Sequence, residues 1–264
     1  MVDPVGASSA ERLAARLWQA RAARRLIAMS DFPAPPDLAE AYALQSSVTR
    51  ASGARVVGWK VGAGDPALQE RFGLPGPFVG PLLEGLVHDS GAVLAPMPGA
   101  ALECELTLRI GRDLAAGERA DDAMLVAAVD AVVPSFEVIG RRFEGEPDGQ
   151  GARLVADGGI NVEAVMGRPV PFDAAAGWPG ITAALSADGA VVAEGTPEGA
   201  GLMPPAVLLR WLLDQPPVAD RGLRAGDLIM TGTLTGVLLL SPGMKVAADF
   251  GVLGVVEASI GPAI

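Results

Sequence analysis

Cysteine and histidine are almost absent, with one of each in the 264-residue chain. The lone Cys104 excludes an internal disulfide and suits a reducing cytoplasm. With His88 as the sole histidine, neither a multi-histidine zinc site nor a histidine relay can be built within the chain. His88 stands beside Asp89 before a Ser-Gly turn and reads as a surface or satisfied side chain. Basic residues are also scarce: 20 Lys and Arg against 31 Asp and Glu give a formal net charge of −11, so no nucleic-acid partner is expected. No apolar run reaches the roughly eighteen residues of a membrane-crossing helix. A basic-then-apolar signal peptide is missing at the N-terminus. The arginines there (Arg12, Arg16, Arg21, Arg24, Arg25) follow a capping box of Ser8 and Glu11. A folded amphipathic helix is expected rather than a targeting segment, together with a cytoplasmic location.

What is plentiful is Gly (34) and Pro (22) in a chain that is 50% hydrophobic, a mix that predicts many short elements joined by tight turns. A first helix is expected from about Ser9 to Met29 and a second from Asp37 to near Gly53, followed by a strand from Arg55 to Val61. The Gly- and Pro-rich stretch from Gly62 to Pro81 reads as a long loop, a candidate lid or substrate-binding loop. Behind it come strands: the Leu102–Ile110 run, one around Glu137, Asn161–Met166, Ile181–Ala187 and Val191–Ala193, with an Asp188-Gly189 hairpin turn. A helix from Asp121 leads into the Glu137 strand, a mobile polar loop is expected from Glu144 to Gly151, and a helix starts at Pro204-Pro205. The end of the chain is again strand-like, giving an α+β protein. Residues 1–86 read as a helical region carrying the lysine strand and loop, and residues 87–264 as a β-rich catalytic domain.

The chemistry is concentrated in three glutamates. In Leu102-Glu103-Cys104-Glu105-Leu106-Thr107-Leu108-Arg109-Ile110 the apolar residues alternate strictly with polar ones. Glu103 and Glu105 therefore stand side by side on one face of a strand. A hard divalent cation best relieves their repulsion, and a third carboxylate completes half an octahedron. Glu137, in the apolar run around Phe136 and Val138, is the candidate third ligand, because an unpaired buried carboxylate is costly. Its alternative is a partner for Arg141 or Arg142. By itself the Glu-x-Glu pair is weak evidence for a metal, since solvated strand faces carry such pairs routinely.

Lys60 lies between Trp59 and Val61, flanked by Gly58 and Gly62. Alone it reads as an exposed strand residue. The run Leu228-Ile229-Met230-Thr231-Gly232-Thr233-Leu234-Thr235-Gly236 reads as a strand breaking into a glycine-threonine loop that offers N–H groups and hydroxyls to an anion, or as a simple turn. It lacks the phosphate-loop pattern.

Taken in order, these segments resemble the 2-keto-4-pentenoate hydratase / 4-oxalocrotonate decarboxylase group of the fumarylacetoacetate hydrolase superfamily. The resemblance runs through Ala41-Tyr42-Ala43-Leu44-Gln45, Gly58-Trp59-Lys60-Val61-Gly62, Leu102-Glu103-Cys104-Glu105 and Phe136-Glu137-Val138. It continues through Ala156-Asp157-Gly158, Gly226–Gly236 and Ala248–Gly254. The resemblance implies a β-rich roll or sandwich with N-terminal helices packed on it, Mg²⁺ or Mn²⁺ on Glu103, Glu105 and Glu137, and Lys60 as a catalytic or substrate-binding lysine. It also implies that Gly232 and Thr233 touch the ligand, that Trp59, Phe78 and Ile160 line its pocket, and that the protein is a homo-oligomer, alone or with a pathway partner.

Two departures bear on the reaction. Phe78, in Pro77-Phe78-Val79-Gly80, stands where the resembled hydratases carry an aspartate, and Ile160 stands near their serine. Glu84 is the nearest stand-in acid. The resemblance implies a divalent-metal-dependent lyase acting on small 2-oxo or 2-hydroxydienoic acids in the catabolism of aromatic compounds, with hydration first. A 4-oxalocrotonate-type decarboxylase and a non-catalytic metal- and oxo-acid-binding partner subunit are the alternatives. C–C bond hydrolysis ranks last, because no histidine–glutamate base arrangement is evident around His88.

Overall fold

The fold is known from a computed structural model that describes residues 8–95, 97–118, 120–173, 177–178 and 180–262. The chain opens with α1 (Ser9–Ala22), a 3-10 turn at Met29–Asp31 and α2 (Leu38–Ser52). It continues with β1 (Val56–Gly62), α3 (Pro66–Phe72), β2 (Phe78–Leu83), β3 (Val87–Asp89), β4 (Ala92–Leu94) and β5 (Ala101–Ile110). The middle of the chain forms α4 (Asp122–Val126), β6 (Val129–Ile139), α5 (Gly151–Ala156), β7 (Asn161–Met166) and β8 (Val170–Pro171). Last come β9 (Ala183–Ala187), β10 (Ala190–Gly195), α6 (Pro205–Leu213), α7 (Pro216–Ala219), β11 (Leu228–Leu239), β12 (Lys245–Asp249) and β13 (Val255–Ile260). The protein is α+β, as its sequence pattern predicts. Among the described residues no helix is long and apolar enough to cross a membrane.

Two sheets hold the strands. The larger has eight, ordered β2-β1-β11-β5-β6-β7-β3 with β8 alongside β6; the smaller has five, ordered β10-β9-β12-β13-β4. Strands β1 and β2 belong to the large sheet, so the division expected at residue 86 runs through one hydrogen-bonded layer.

Alternation along the central strands decides what each face meets. Leu102, Cys104, Leu106, Phe136, Val138 and Val165 point into a core shared with Val246, Ala248, Val256 and Ala258 of the small sheet. Further along the same face, Trp59, Val61, Leu108 and Ile229 pack under residues of α1, α2, α5 and α6. The other face carries the glutamates and Lys60, with a small apolar group of Leu82, Val133, Ala164, Met166 and Met230.

The N-terminal capping box forms as expected, but α1 stops at Ala22 rather than near Met29. Arg24 adopts a left-handed φ of 51°, which turns the chain so that its side chain reaches the buried Glu163. The stretch from Gly62 to Pro81 is not a simple loop. It contains α3, capped by Asp65 with Pro66 in its first turn, and the start of β2. Strand β2 lies at the sheet edge, where Pro81 lacks no ladder donor that a central strand would need. Nor is the polar loop after Glu144 loosely held: Glu144 N donates to Ile27 O, Gly149 N to Arg71 O, and Arg71 pairs with Asp148 at 2.6 Å.

A buried ion pair fixes the turn that enters β7. Arg142, 1% exposed, donates from Nε to Asp157 Oδ1 at 2.6 Å, and its backbone N–H donates to Oδ2 at 2.8 Å. Its Nη1 caps the carbonyls of Gly140 and Asn161. Removing one member strands the other charge in the interior. Asp157→Ala is expected to lower unfolding free energy by about 3–5 kcal/mol, read by urea denaturation; an unchanged midpoint would contradict this role.

Candidate metal centre and active site

Antiparallel pairing of β5 with β6 sets Glu103 directly opposite Glu137 and Glu105 opposite Ser135. All three glutamates thus share one face, and one carboxylate oxygen from each lies within 4.8 Å of the others. Glu105 and Glu137 are fully buried, whereas Glu103 is partly exposed.

The two buried carboxylates are each divided between protein and pocket. Glu105 Oε2 accepts a 2.8 Å hydrogen bond from Gly232 N–H, while its Oε1 is buried without a partner. Glu137 Oε1 accepts from Asn161 Nδ2 at 2.9 Å. Its Oε2 has no hydrogen bond and meets only the ammonium of Lys60 at 3.4 Å, an ion-pair distance. Orphaned buried oxygens that converge on one point fit a hard divalent cation, which takes carboxylate oxygens without needing a donor hydrogen.

Lys60 is 3% exposed on β1 and faces the cluster. Burial pulls its pKa down, but Glu137, Glu103 and Glu105 outweigh burial and hold it above the ordinary lysine value. In the metal-free site it is thus held in its charged form. The ring of Phe78 covers it, with Nζ 5.2 Å from the centroid, a cation–π arrangement. Gly62 makes this possible: a Cβ there would stand 2.5 Å from the Phe78 ring.

Crowding raises the glutamates. Glu103 is pushed up to about 7, first by burial and then by Glu137, with Lys60 opposing. Glu105 is raised well above its ordinary value by burial and by both neighbours, against the Gly232 N–H.

The expected site residues are only partly brought together. Glu103, Glu105, Glu137, Lys60 and Phe78 converge. Gly232 joins them, but as a donor to Glu105, and the segment is not a loop. Strand β11 continues through it, with its register to β5 shifting on both sides of Thr233, and Gly232 takes a φ of 109° that favours glycine. Thr233 pairs with Glu105 through the backbone, while its hydroxyl donates to Gly236 O at 2.9 Å. Ile160, with a left-handed φ of 58°, is partly buried beside Gly159, and Gly159 itself touches the Phe78 and Lys60 positions. Trp59 is not in the site. Its neighbour Lys60 takes the glutamate face, so alternation sends the indole to the opposite face, into the core beneath the helices. Glu84 does not stand in near Lys60 either; it is exposed and paired with Arg55 at 2.8 Å, at the start of β1. Glu137 meets Lys60 and Asn161 rather than Arg141 or Arg142. His88 lies on β3 opposite Val165, on the other face of β7 from Ala164 and Glu137, and is 3.5 Å from Glu163.

Sequence reasoning missed the supporting residues. Asn161 holds Glu137, and Arg21 from α1 holds Asn161 at 3.1 Å. Burial and the adjacent Arg142 lower the Arg21 pKa to about 9. Tyr42 and Gln45 of α2 clamp the residue after Phe78: Val79 N donates to the Tyr42 hydroxyl, and Gln45 Nε2 donates to Val79 O and Val155 O. The only sequence signal for this clamp was the Ala41–Gln45 motif; for Arg21 there was none.

Fold and site together bring three carboxylates and a buried lysine to one point, a set that fits a divalent cation. Residues 76–261 match the fumarylacetoacetate (FAA) hydrolase C-terminal family, and the chain belongs to that family. A 2-keto-4-pentenoate hydratase of Burkholderia vietnamiensis is 33% identical over 96% of this chain and 97% of its own. The 2-oxo-hept-4-ene-1,7-dioate hydratase of Escherichia coli is 27% identical over 92% and 94%. Among solved structures, 4-oxalocrotonate decarboxylase from Pseudomonas putida G7, complexed with magnesium and adipate, superposes with a TM-score of 0.78 at 24% identity, covering 95% of this chain and 97% of that one. The last likeness is one of fold.

The raised carboxylates make cation uptake pH-dependent. Because folding lifts Glu103 from 4.5 to about 7, the metal-free fold loses stability as pH rises through that interval, and a cation must displace the proton. Calorimetric titration with Mn²⁺ is expected to show weaker binding and greater proton release at about pH 6 than at about pH 8. Glu103→Gln and Glu137→Gln should each weaken Mn²⁺ binding about tenfold or more; unchanged affinity would remove the site assignment.

Proposed function

We propose that the chain is a divalent-metal-dependent lyase, using Mg²⁺ or Mn²⁺, that hydrates small 2-oxo or 2-hydroxydienoic acids in the catabolism of aromatic compounds. The observation that carries the reading is Lys60 held as a buried cation against three convergent glutamates, in a chain whose curated relatives are hydratases over nearly their whole length. A cation on Glu103, Glu105 and Glu137 supplies a Lewis acid for a carbonyl oxygen. The protein's own part is electrostatic and positional. Lys60, placed beside Glu137, stabilises negative charge that develops on a substrate oxygen beside it. Gly232 N–H and Asn161 hold the carboxylates, and Phe78 keeps water off one flank of the ammonium. The family resemblance supports a homo-oligomer, and the buried free thiol of Cys104 suits a reducing cytoplasm.

Decarboxylation is the second reading, favoured by one observation. Hydration needs a group that delivers a proton to carbon, yet the position against Lys60 is filled by the apolar ring of Phe78.

The test offers Mg²⁺- or Mn²⁺-loaded protein 2-hydroxypenta-2,4-dienoate, 4-oxalocrotonate and an acylpyruvate, following ultraviolet absorbance and CO₂. Loss of diene without CO₂ is expected, and Lys60→Met should lower kcat about 10²–10³-fold. Release of CO₂ would establish the second reading. No turnover with tight, metal-dependent oxalate binding would instead make the chain a non-catalytic partner subunit.

A further inference from the structure

Arg21 ends α1 outside residues 76–261 that match the family, yet it reaches the metal centre through a single side chain. It is 6% exposed. Nη2 donates to Asn161 Oδ1 and to the Val162 carbonyl, both at 3.1 Å, while Nε is buried without a partner. Asn161 in turn donates from Nδ2 to Glu137 Oε1 at 2.9 Å.

The chemistry of these three groups gives the chain of contacts a direction. A guanidinium only donates and a carboxylate only accepts, whereas an amide presents an oxygen at one end and N–H groups at the other. Arg21 therefore selects the amide oxygen, which turns the N–H end to Glu137. Reversal would set N–H against guanidinium and a carbonyl oxygen against a carboxylate. The backbone of Asn161 does not depend on Arg21, because Arg142 Nη1 holds the Asn161 carbonyl at 3.0 Å and the Arg142–Asp157 pair fixes the preceding turn. What Arg21 adds is the orientation of the side chain.

We propose that Arg21 is a positioning residue for the cation ligand Glu137: by fixing the Asn161 amide it commits Oε1 of Glu137 to the protein and leaves Oε2 to the cation. The proposal rests on the reading of the three glutamates as a cation site. Outer residues that orient ligands in this way typically change metal affinity 10–100-fold.

The experiment measures Mn²⁺ binding to the full metal-stripped chain by calorimetry and by the Mn²⁺ paramagnetic resonance spectrum. Arg21→Met should weaken binding about 10–100-fold and alter the spectrum. Arg21→Lys, still donor-only, should recover most of the affinity; Arg21→Gln, which can present its oxygen, should not. In an Asn161→Leu background, Arg21→Met should add little further loss, since both act on one contact. Additive losses, or a folded Arg21→Met with the original affinity and spectrum, would overturn the proposal. If Arg21→Met does not fold, the Lys and Gln variants decide, and equal affinities would refute it. Absence of oxo-acid turnover with this Mn²⁺ pattern intact would sink the functional reading and leave the positioning role standing.

Discussion

The structure depends on one electrostatic constraint: three carboxylates share a point inside the protein, with one ammonium beside them. Against Lys60, the glutamates leave two negative charges, the charge of one divalent cation. In a medium far less polarisable than water such an excess does not persist. The metal-free protein answers with raised pKa values, to about 7 for Glu103 and well above the ordinary value for Glu105. A cation bound there would displace carboxyl protons, so acidity and affinity for metal would be two expressions of the same crowding.

What holds the crowding in place is the hydrophobic core. Glu103 faces Glu137 only because Cys104, Leu106, Phe136 and Val138 face the small sheet on the other side. A slip of one residue would exchange the faces, burying carboxylates in the apolar core. The apolar face therefore sets the register, and the register assembles the ligands. Finer positioning comes from elsewhere. The bulged β11 turns Gly232 N–H onto Glu105, and the turn stapled by Arg142 and Asp157 delivers Asn161 to Glu137.

This division explains what the sequence revealed. Strict alternation over Leu102–Ile110 made the carboxylate pair visible, and the apolar setting of Glu137 marked it as a charge in need of a partner. The same alternation argued against Trp59, since neighbours of Lys60 must point away from it; adjacency within a motif was the weaker guide. Gly76, Pro77, Gly80 and Pro81 disguised β2 as loop, because an edge strand tolerates residues that a central strand does not. Arg21 was illegible for a different reason. It lies among several arginines in α1, and which of them turns inward depends on a partner 140 residues further along the chain. Local pattern carries no information about that meeting.

Burial also orders the site from back to front. Glu105, Glu137, Lys60 and Phe78 are buried, and of the charged groups Glu103 alone reaches solvent. Across the pairing from Glu103 stands Val237, 60% exposed. At the buried end Lys60 lies under the ring of Phe78, 5.2 Å from its centroid. The register that assembles the ligands thus also sets which end of the cluster meets solvent.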